Sequence, residues 1–339
     1  MTTPATTPAT PERIMQFAWG YIPPLVLEAA IRHHVFDLLD GGPKTVNEIH
    51  EKSGASERGL TAIMNALVGL NFLAKDQRSR FSLTPESAEF LVSTKPAFQG
   101  GLIRHCSEHL IPKWLRLNEI VETGRPVEAV NQVALGSEFF QKFVNDIFPM
   151  SYPAAKALGQ YFALNGAGRQ ARVLDLAAGS GVWGIALAQS SEHVRVTAVD
   201  WPGVIPVTRK SVARFGLADR FSFIEGDLLQ VDFGSDYTVA TLGHILHSEG
   251  RERSKALLAK TFRALASGGT IVIAEYLVNP DRTGPLNGLL FAVNMLVNTE
   301  DGDTYSFEEI VGWLREAGFT KARTLESPGP SPLILATKP

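Results

Sequence analysis

The sequence predicts an α/β protein with a mainly helical N-terminal domain and a C-terminal parallel sheet covered by helices. Three observations predict it. Between residues 14 and 39, and again over 100–124 and 137–164, apolar residues recur at three- and four-residue spacing, the period of a helix with one buried face. Beyond residue 166 the period changes. Five short apolar runs, 173–176, 194–199, 221–224, 237–242 and 270–274, alternate with helical stretches, which is how buried parallel strands read. The turn Asp175-Leu-Ala-Ala-Gly-Ser-Gly181 joins the first run to a helix opening at Val182, so a strand, a tight glycine turn and a helix follow in order.

The N-terminal elements can be justified one by one. Residues 1–12 are rich in Thr, Pro and Ala and lack both a basic and an apolar signal region, so they read as a disordered lead-in. Pro23-Pro24 marks a break or a helix start. Thr45-Val-Asn-Glu48 has the capping-box spacing and opens a short helix that Gly54 ends. Ser56 caps a second helix running to Leu70, and residues 72–83 read as a hairpin. Helix, helix, hairpin is a winged-helix pattern. Gly124-Arg-Pro126 separates two further helical stretches, and Gly166-Ala-Gly168 closes the second. These signals divide the chain into 13–100, a winged-helix domain, 101–165, connecting helices, and 166–339, the α/β domain. In that last domain the helix over 251–265 is expected to stop at Gly268-Gly269, and residues 322–325 and 333–337 to pair across Pro328-Gly-Pro330.

Size and composition bound the function. At 339 residues, 45% of them apolar, two domains with sizeable cores are expected. A net charge of −3 gives no general attraction to nucleic acid or anionic membrane, and no run of 18 uninterrupted apolar residues suggests a span. The single cysteine, Cys106, cannot make an intrachain disulfide and suits a reducing, cytoplasmic setting. No Gly-Lys-Ser/Thr follows the glycine turn, which removes a P-loop.

In an open α/β sheet, ligands bind beyond the carboxyl ends of the strands. Polar or glycine residues fall there after every predicted strand: Asp175 to Gly181, Asp200, Gly226-Asp227, His247 and Glu275. An acid ahead of the glycine turn repels a pyrophosphate and favours a cation, and the sulfonium and ammonium of S-adenosyl-L-methionine answer to that charge. The cofactor-binding set is accordingly Asp175, Ala177, Gly179, Gly181, Asp200, Trp201, Gly226, Asp227, Leu228, Gly243 and His244. In it Gly179 and Gly181 admit the methionine part and Asp175 faces the ammonium through water. Asp200 accepts the ribose hydroxyls, Asp227 accepts the adenine amino group, and Leu228 and Trp201 form apolar walls. Gly179-x-Gly181-x-x-Gly184 also matches a dinucleotide fingerprint, but Asp175 stands four residues before its first glycine and Trp183 crowds the helix start.

His247 is the candidate general base and Glu275 its orienting partner. A phenolic acceptor has a pKa of about 10, and an imidazole titrating near neutrality can remove its proton as the methyl arrives. Such help is typically worth roughly 10²–10⁴-fold. His105 and His109 share a helix face, yet no third ligand follows at a metal-site spacing, so no metal is expected. Phe139, Phe140 and Phe143, with Phe291, Asn294 and Met295, read mainly as core residues, some of which could line a substrate cavity.

On these residues the chain resembles the small-molecule O-methyltransferases that include plant phenolic, acetylserotonin-type and bacterial polyketide enzymes. The similarity runs from about Met15 to the end and is strongest at residues 173–184, Val199-Asp-Trp-Pro202, Gly226-Asp227, Leu246-His247 and Ala317-Gly-Phe319. The resemblance implies a Rossmann-like class I methyltransferase domain behind a winged-helix dimerisation domain, a homodimer, and a small-molecule substrate held between the domains. Two departures stand out. Ala177 and Ala178 replace two glycines of the family turn Asp-x-Gly-Gly-Gly-x-Gly, and His247 is followed by Ser248-Glu249 where the family has Asp-Trp. A second carboxylate flanking the base in plant relatives falls at about Thr304, beside Asp303. N- or C-methylation by the same fold stays open. So does a metabolite-sensing regulator, although its recognition helix, 56–70, has only Arg58 as a basic residue.

Overall fold

The computed structural model describes residues 9–130, 140–141, 143–164 and 171–339. Phe139 and the expected boundary at Gly166-Ala-Gly168 lie outside the described residues. Two compact units divide between Leu110 and Ile111, so the expected connecting helices fall on both sides of the division.

In the first unit, the helices Glu12–Ala18 and Ile22–Arg32 are separated at Trp19–Tyr21, and the two prolines occupy the first turn of the second helix. There their missing N–H groups cost nothing. The capping box at Thr45 opens the helix Val46–Ser53, and Gly54 ends it in the left-handed conformation. Ser56 caps the helix Glu57–Gly69 by accepting from the Gly59 N–H. Strands β1 (Leu73–Lys75) and β2 (Phe81–Leu83) form the wing hairpin. Phe36, Ile49, Leu60, Met64, Leu67 and Phe81 are buried together, which ties these helices to the hairpin. Each such side chain contributes about 1.5–3 kcal/mol by leaving water.

In the second unit a seven-stranded sheet is built from β3 (Arg172–Leu176), β4 (Arg195–Asp200), β5 (Phe221–Glu225), β6 (Tyr237–Gly243), β7 (Leu265–Ala274), β10 (Thr320–Leu325) and β11 (Leu333–Thr337). The short pair β8 (Leu277–Val278) and β9 (Tyr305–Ser306) stands apart. Across the sheet the order is β10, β11, β7, β6, β3, β4, β5; the five strands from β7 to β5 are parallel, β11 runs antiparallel to β7, and β10 runs antiparallel to β11. Alternate residues serve opposite faces. Val173, Val239 and Val272 enter one core, while Leu174, Ala240 and Ile271 enter the other. Because β4 lies on one side of β3 and β6 on the other, a crevice opens beyond the carboxyl ends of β3 and β6.

Two boundaries differ from the sequence reading. The helix ahead of β7 ends at Ala264 rather than at Gly268-Gly269, because Leu265 already pairs with Tyr237. Gly268, left-handed at φ 78°, then carries the strand through an irregularity before regular pairing resumes. In addition, the helix Leu246–Ala264 breaks at Gly250, whose φ of 74° and ψ of 167° are not helical. A β-carbon there would meet the backbone oxygen of Asp301 at 2.8 Å.

The helix Val182–Ser190 is buried from Val182 to Ala188, sandwiched between the sheet and the helix Phe148–Leu164. Gly159 and Gly184 permit that depth, since a β-carbon on Gly184 would lie 2.8 Å from Val196 and 2.9 Å from the Asp175 carboxylate. Gly184→Ala is therefore expected to destabilise the chain by about 1–3 kcal/mol, measured by urea unfolding. A loss below about 0.5 kcal/mol would show that the helix can retreat freely.

Candidate active site

Asp175 is buried near the carboxyl end of β3. Its side chain sits directly beside Thr241 in the register of β3 and β6 and is 1% exposed. One oxygen accepts from the Thr241 hydroxyl at 2.6 Å and the other from the Gly184 N–H at 2.9 Å. Burial pushes its pKa up to about 7. Within the protein, Asp175 ties the strand, its neighbour and the first turn of the next helix together. A polar residue inside the apolar run of β6, Thr241, was the signal that a buried partner existed.

The loop after β3 turns on three left-handed residues, Ala177 (φ 51°), Gly179 (φ 55°) and Gly181 (φ 77°). Ala177 holds this conformation with a side chain, the residue at which the sequence departs from a glycine. Asp200 secures the loop. Its carboxylate accepts from the Gly179 N–H and from its neighbour Trp201, both at 2.7 Å, and Thr208 donates to the Gly179 carbonyl at 2.7 Å. Burial raises Asp200 to about 6. The Asp200 carbonyl also receives the Gly226 N–H at 2.9 Å, which brings the loop after β5 alongside. There Asp227 accepts from the Leu229 N–H at 2.8 Å and from Arg253 at 2.9 Å, and Leu228 is buried in the core rather than standing as an open wall.

These residues suit a nucleoside cofactor by the chemistry of their donors and acceptors. Asp200 remains partly exposed with lone pairs beyond those used by the backbone, the state required to accept ribose hydroxyls. Trp201, partly exposed next to it, meets Phe140 edge-on at 6.0 Å.

At the end of β6 lies the second half of the site. Gly243 has no room for a side chain, since a β-carbon would sit 2.0 Å from the Trp183 indole nitrogen. His244 is left-handed, and its N–H extends the ladder to the Ala274 carbonyl at 2.8 Å. Burial lowers its pKa to about 4, so the ring is neutral, and its Nδ1 is buried without a hydrogen-bond partner. Because β6 and β7 are neighbours, the turn after one meets the end of the other. Glu275 accepts from the His247 backbone N–H at 3.2 Å and lies 2.7 Å from His247 Nδ1. Burial is the largest single influence and pushes the Glu275 carboxyl up, but the His247 ring and backbone N–H together with His244 hold the acid below its ordinary range. An ionised Glu275 can only accept, so His247 Nδ1 is the donor in this contact.

The wall around His247 is aromatic. Phe291 meets it edge-on at 4.9 Å and stacks on Tyr276 at 3.9 Å. Behind, the His247 carbonyl receives the Asp303 N–H at 2.9 Å, and Gly302 lies so close that a β-carbon would approach that carbonyl to 2.5 Å. Thr304, next to Asp303, is buried at 1% exposure. Asn294 is engaged by Trp114 and Asn298, and Met295 is buried. His105 and His109 meet edge-on at 5.2 Å in the first unit. Among the described residues, His244, His247 and Glu275 bring ligand-type atoms within 4.8 Å of one another, but Glu275 already binds the imidazole there.

The raised acids have a consequence for stability. A carboxyl whose folded pKa exceeds its ordinary 3.8 binds protons more tightly when folded, so its contribution is complete below that value and is lost as pH rises through about 7 for Asp175. His244 acts oppositely, but only below 6.5. Relative to Asp175→Asn, the unliganded wild type should lose thermal stability between pH 5 and pH 8. Parallel melting curves for the two proteins would argue against a protonated Asp175.

Comparison with known proteins agrees with this arrangement. The O-methyltransferase domain family matches residues 137–320, more than half of the chain, and the O-methyltransferase dimerisation domain family matches residues 15–93. A 3-hydroxy-5-methyl-1-naphthoate 3-O-methyltransferase of Streptomyces sahachiroi is 30% identical over 97% of this chain and 95% of its own. The tetracenomycin polyketide synthesis 8-O-methyltransferase of Streptomyces glaucescens is 29% identical over 99% of both. Among solved structures, an O-methyltransferase-like protein of Nostoc punctiforme superposes with a TM-score of 0.87 at 25% identity, covering 98% of this chain and 100% of that one. Human N-acetylserotonin methyltransferase, solved with S-adenosylmethionine, shares the fold at a TM-score of 0.86 and 22% identity, covering 99% of both. The chain belongs to the O-methyltransferase family and is an S-adenosylmethionine-dependent methyltransferase of small molecules, carrying a dimerisation domain ahead of its catalytic domain.

Proposed function

We propose that the chain methylates a phenolic hydroxyl on a small aromatic metabolite, with His247 as general base and Glu275 holding the imidazole. The observation that carries this reading is the 2.7 Å contact between His247 Nδ1 and Glu275, which leaves Nε2 as the acceptor for a proton. When bound, S-adenosylmethionine supplies an electrophilic methyl group on its sulfonium. The protein's part is to place a nucleophile and remove its proton. A neutral amine attacks through its lone pair and has less need of that proton transfer at the moment of attack, so a fixed base favours a hydroxyl over an amine. Aromatic neighbours Phe291 and Tyr276 suit a planar acceptor. The naphthoate and polyketide acceptors in the relatives' names are of that kind.

For the cofactor, Asp200 would take the ribose hydroxyls and Asp227 the adenine amino group. Trp201 would contribute a wall, and Ala177, Gly179, Gly181, Gly226, Gly243 and His244 a close backbone surface. In domain terms, residues 13–100 serve dimerisation, 101–165 connect and contribute to the acceptor pocket, and 166–339 carry methyl transfer. The helix Glu12–Ala18 buries none of its residues and exposes Phe17 (72%) and Ile14 (71%), which favours a second copy as its partner. Residues Glu12–Arg32 are long and apolar enough by composition to cross a bilayer, but the break at Trp19–Tyr21 and four charged side chains favour a protein partner instead. A single basic residue, Arg58, on the helix Glu57–Gly69 gives nucleic acid little to bind, and a cytoplasmic location accords with the lone Cys106.

His247→Ala should lower turnover of a phenolic acceptor by at least about tenfold while leaving S-adenosylhomocysteine affinity within about twofold. Steady-state kinetics and calorimetry measure the two. Unchanged turnover would remove His247 from the chemistry.

A further inference from the structure

Glu249 and Arg253 stand on opposite sides of the break at Gly250. The turn before the break carries His247, and the helix after it packs against β6 and β7. Arg253 Nε donates to Glu249 at 2.6 Å, and its Nη2 donates to Asp227 at 2.9 Å. One guanidinium therefore connects three separate pieces: the turn of His247, the body of its helix, and the loop after β5. A planar fork suits this bridging, whereas an ammonium presents a point charge.

An exposed ion pair usually contributes little, and the Arg253 side chain is 46% exposed. Its partners are not: Glu249 is 7% exposed and Asp227 17%. Burial raises the Glu249 carboxyl, with Arg253 opposing and Asp227 reinforcing the rise, so the two acids sense each other across the cation. Lys260, farther along the same helix, holds the same loop through the Leu228 and Val231 carbonyls. The loop is gripped twice from one helix.

We infer that Arg253 is a positioning residue that fixes the Asp227 carboxylate for the adenine amino group and fastens that loop to the turn bearing His247. The inference rests on the proposed adenine role of Asp227. Without Arg253, one Asp227 oxygen loses its donor while the other keeps only the Leu229 N–H, and Glu249 is left as a buried acid without its cation. The carboxylate can then reorient, and its preference for an amino group over a carbonyl weakens.

Calorimetry with S-adenosylhomocysteine and with its hypoxanthine counterpart tests this on the full chain. Arg253→Ala should weaken S-adenosylhomocysteine about tenfold and narrow the preference for adenine, Arg253→Lys should fall between it and wild type, and in an Asp227→Ala background the further loss should stay below about twofold. If Arg253→Ala does not fold, Arg253→Lys carries the test, with a loss of about threefold and a narrowed preference expected. Wild-type affinity and preference in the substituted protein, or a loss that adds fully to that of Asp227→Ala, would overturn the inference. Should Asp227→Ala itself keep the adenine preference, the adenine role falls, and the positioning role falls with it.

Discussion

Carboxylates at the strand ends of this sheet spend their hydrogen bonds on the protein itself, and the site depends on that. Asp175 holds Thr241 and the Gly184 N–H, Asp200 holds the Gly179 and Trp201 N–H groups, and Glu275 holds both the backbone and the ring of His247. A buried acid without such partners is costly. With them, each acid becomes a pin that fixes a loop relative to two strands. The crevice beyond β3 and β6 is thus preorganised by electrostatics as much as by packing.

The three pins divide the work. Asp175 sits deepest and sets the angle at which the helix Val182–Ser190 leaves the sheet, while Gly184 lets that helix come close enough to be bonded. Asp200 shapes the glycine turn while remaining partly exposed as a residue. Glu275 holds the turn after β6, and in the proposed chemistry it would fix the tautomer of His247. A general base is useful only if its lone pair points at the proton, and a partner on the opposite ring nitrogen is the simplest way to arrange that.

Much of this was legible in the sequence. Apolar runs located the five parallel strands, since the central ones are buried on both faces and even the partly buried edge strand β5 keeps an apolar run, and the strand-end rule placed Asp200, Asp227, His247 and Glu275 at the carboxyl edge. The capping box at Thr45 and the stop at Gly54 were legible because they are local. Orientation was not. Asp175 lies two residues deeper in the register of β3 and β4 than Asp200, so it bonds Thr241 on the next strand while Asp200, the last residue of β4, bonds the glycine turn. Arg253 was invisible for a related reason: its partners lie 4 and 26 residues away and meet only after the helix breaks at Gly250. Gly302 and Thr304 could not be assigned because their roles follow from the path of a loop behind His247.

The proposed chemistry requires the His247 proton on Nδ1 with Nε2 bare. Nitrogen NMR of the full chain labelled at histidine reads this directly. At neutral pH a His247 signal pair is expected in which Nδ1 carries the hydrogen and Nε2 does not, with the pattern lost in Glu275→Gln. A hydrogen on Nε2, or a pattern indifferent to Glu275, would contradict it.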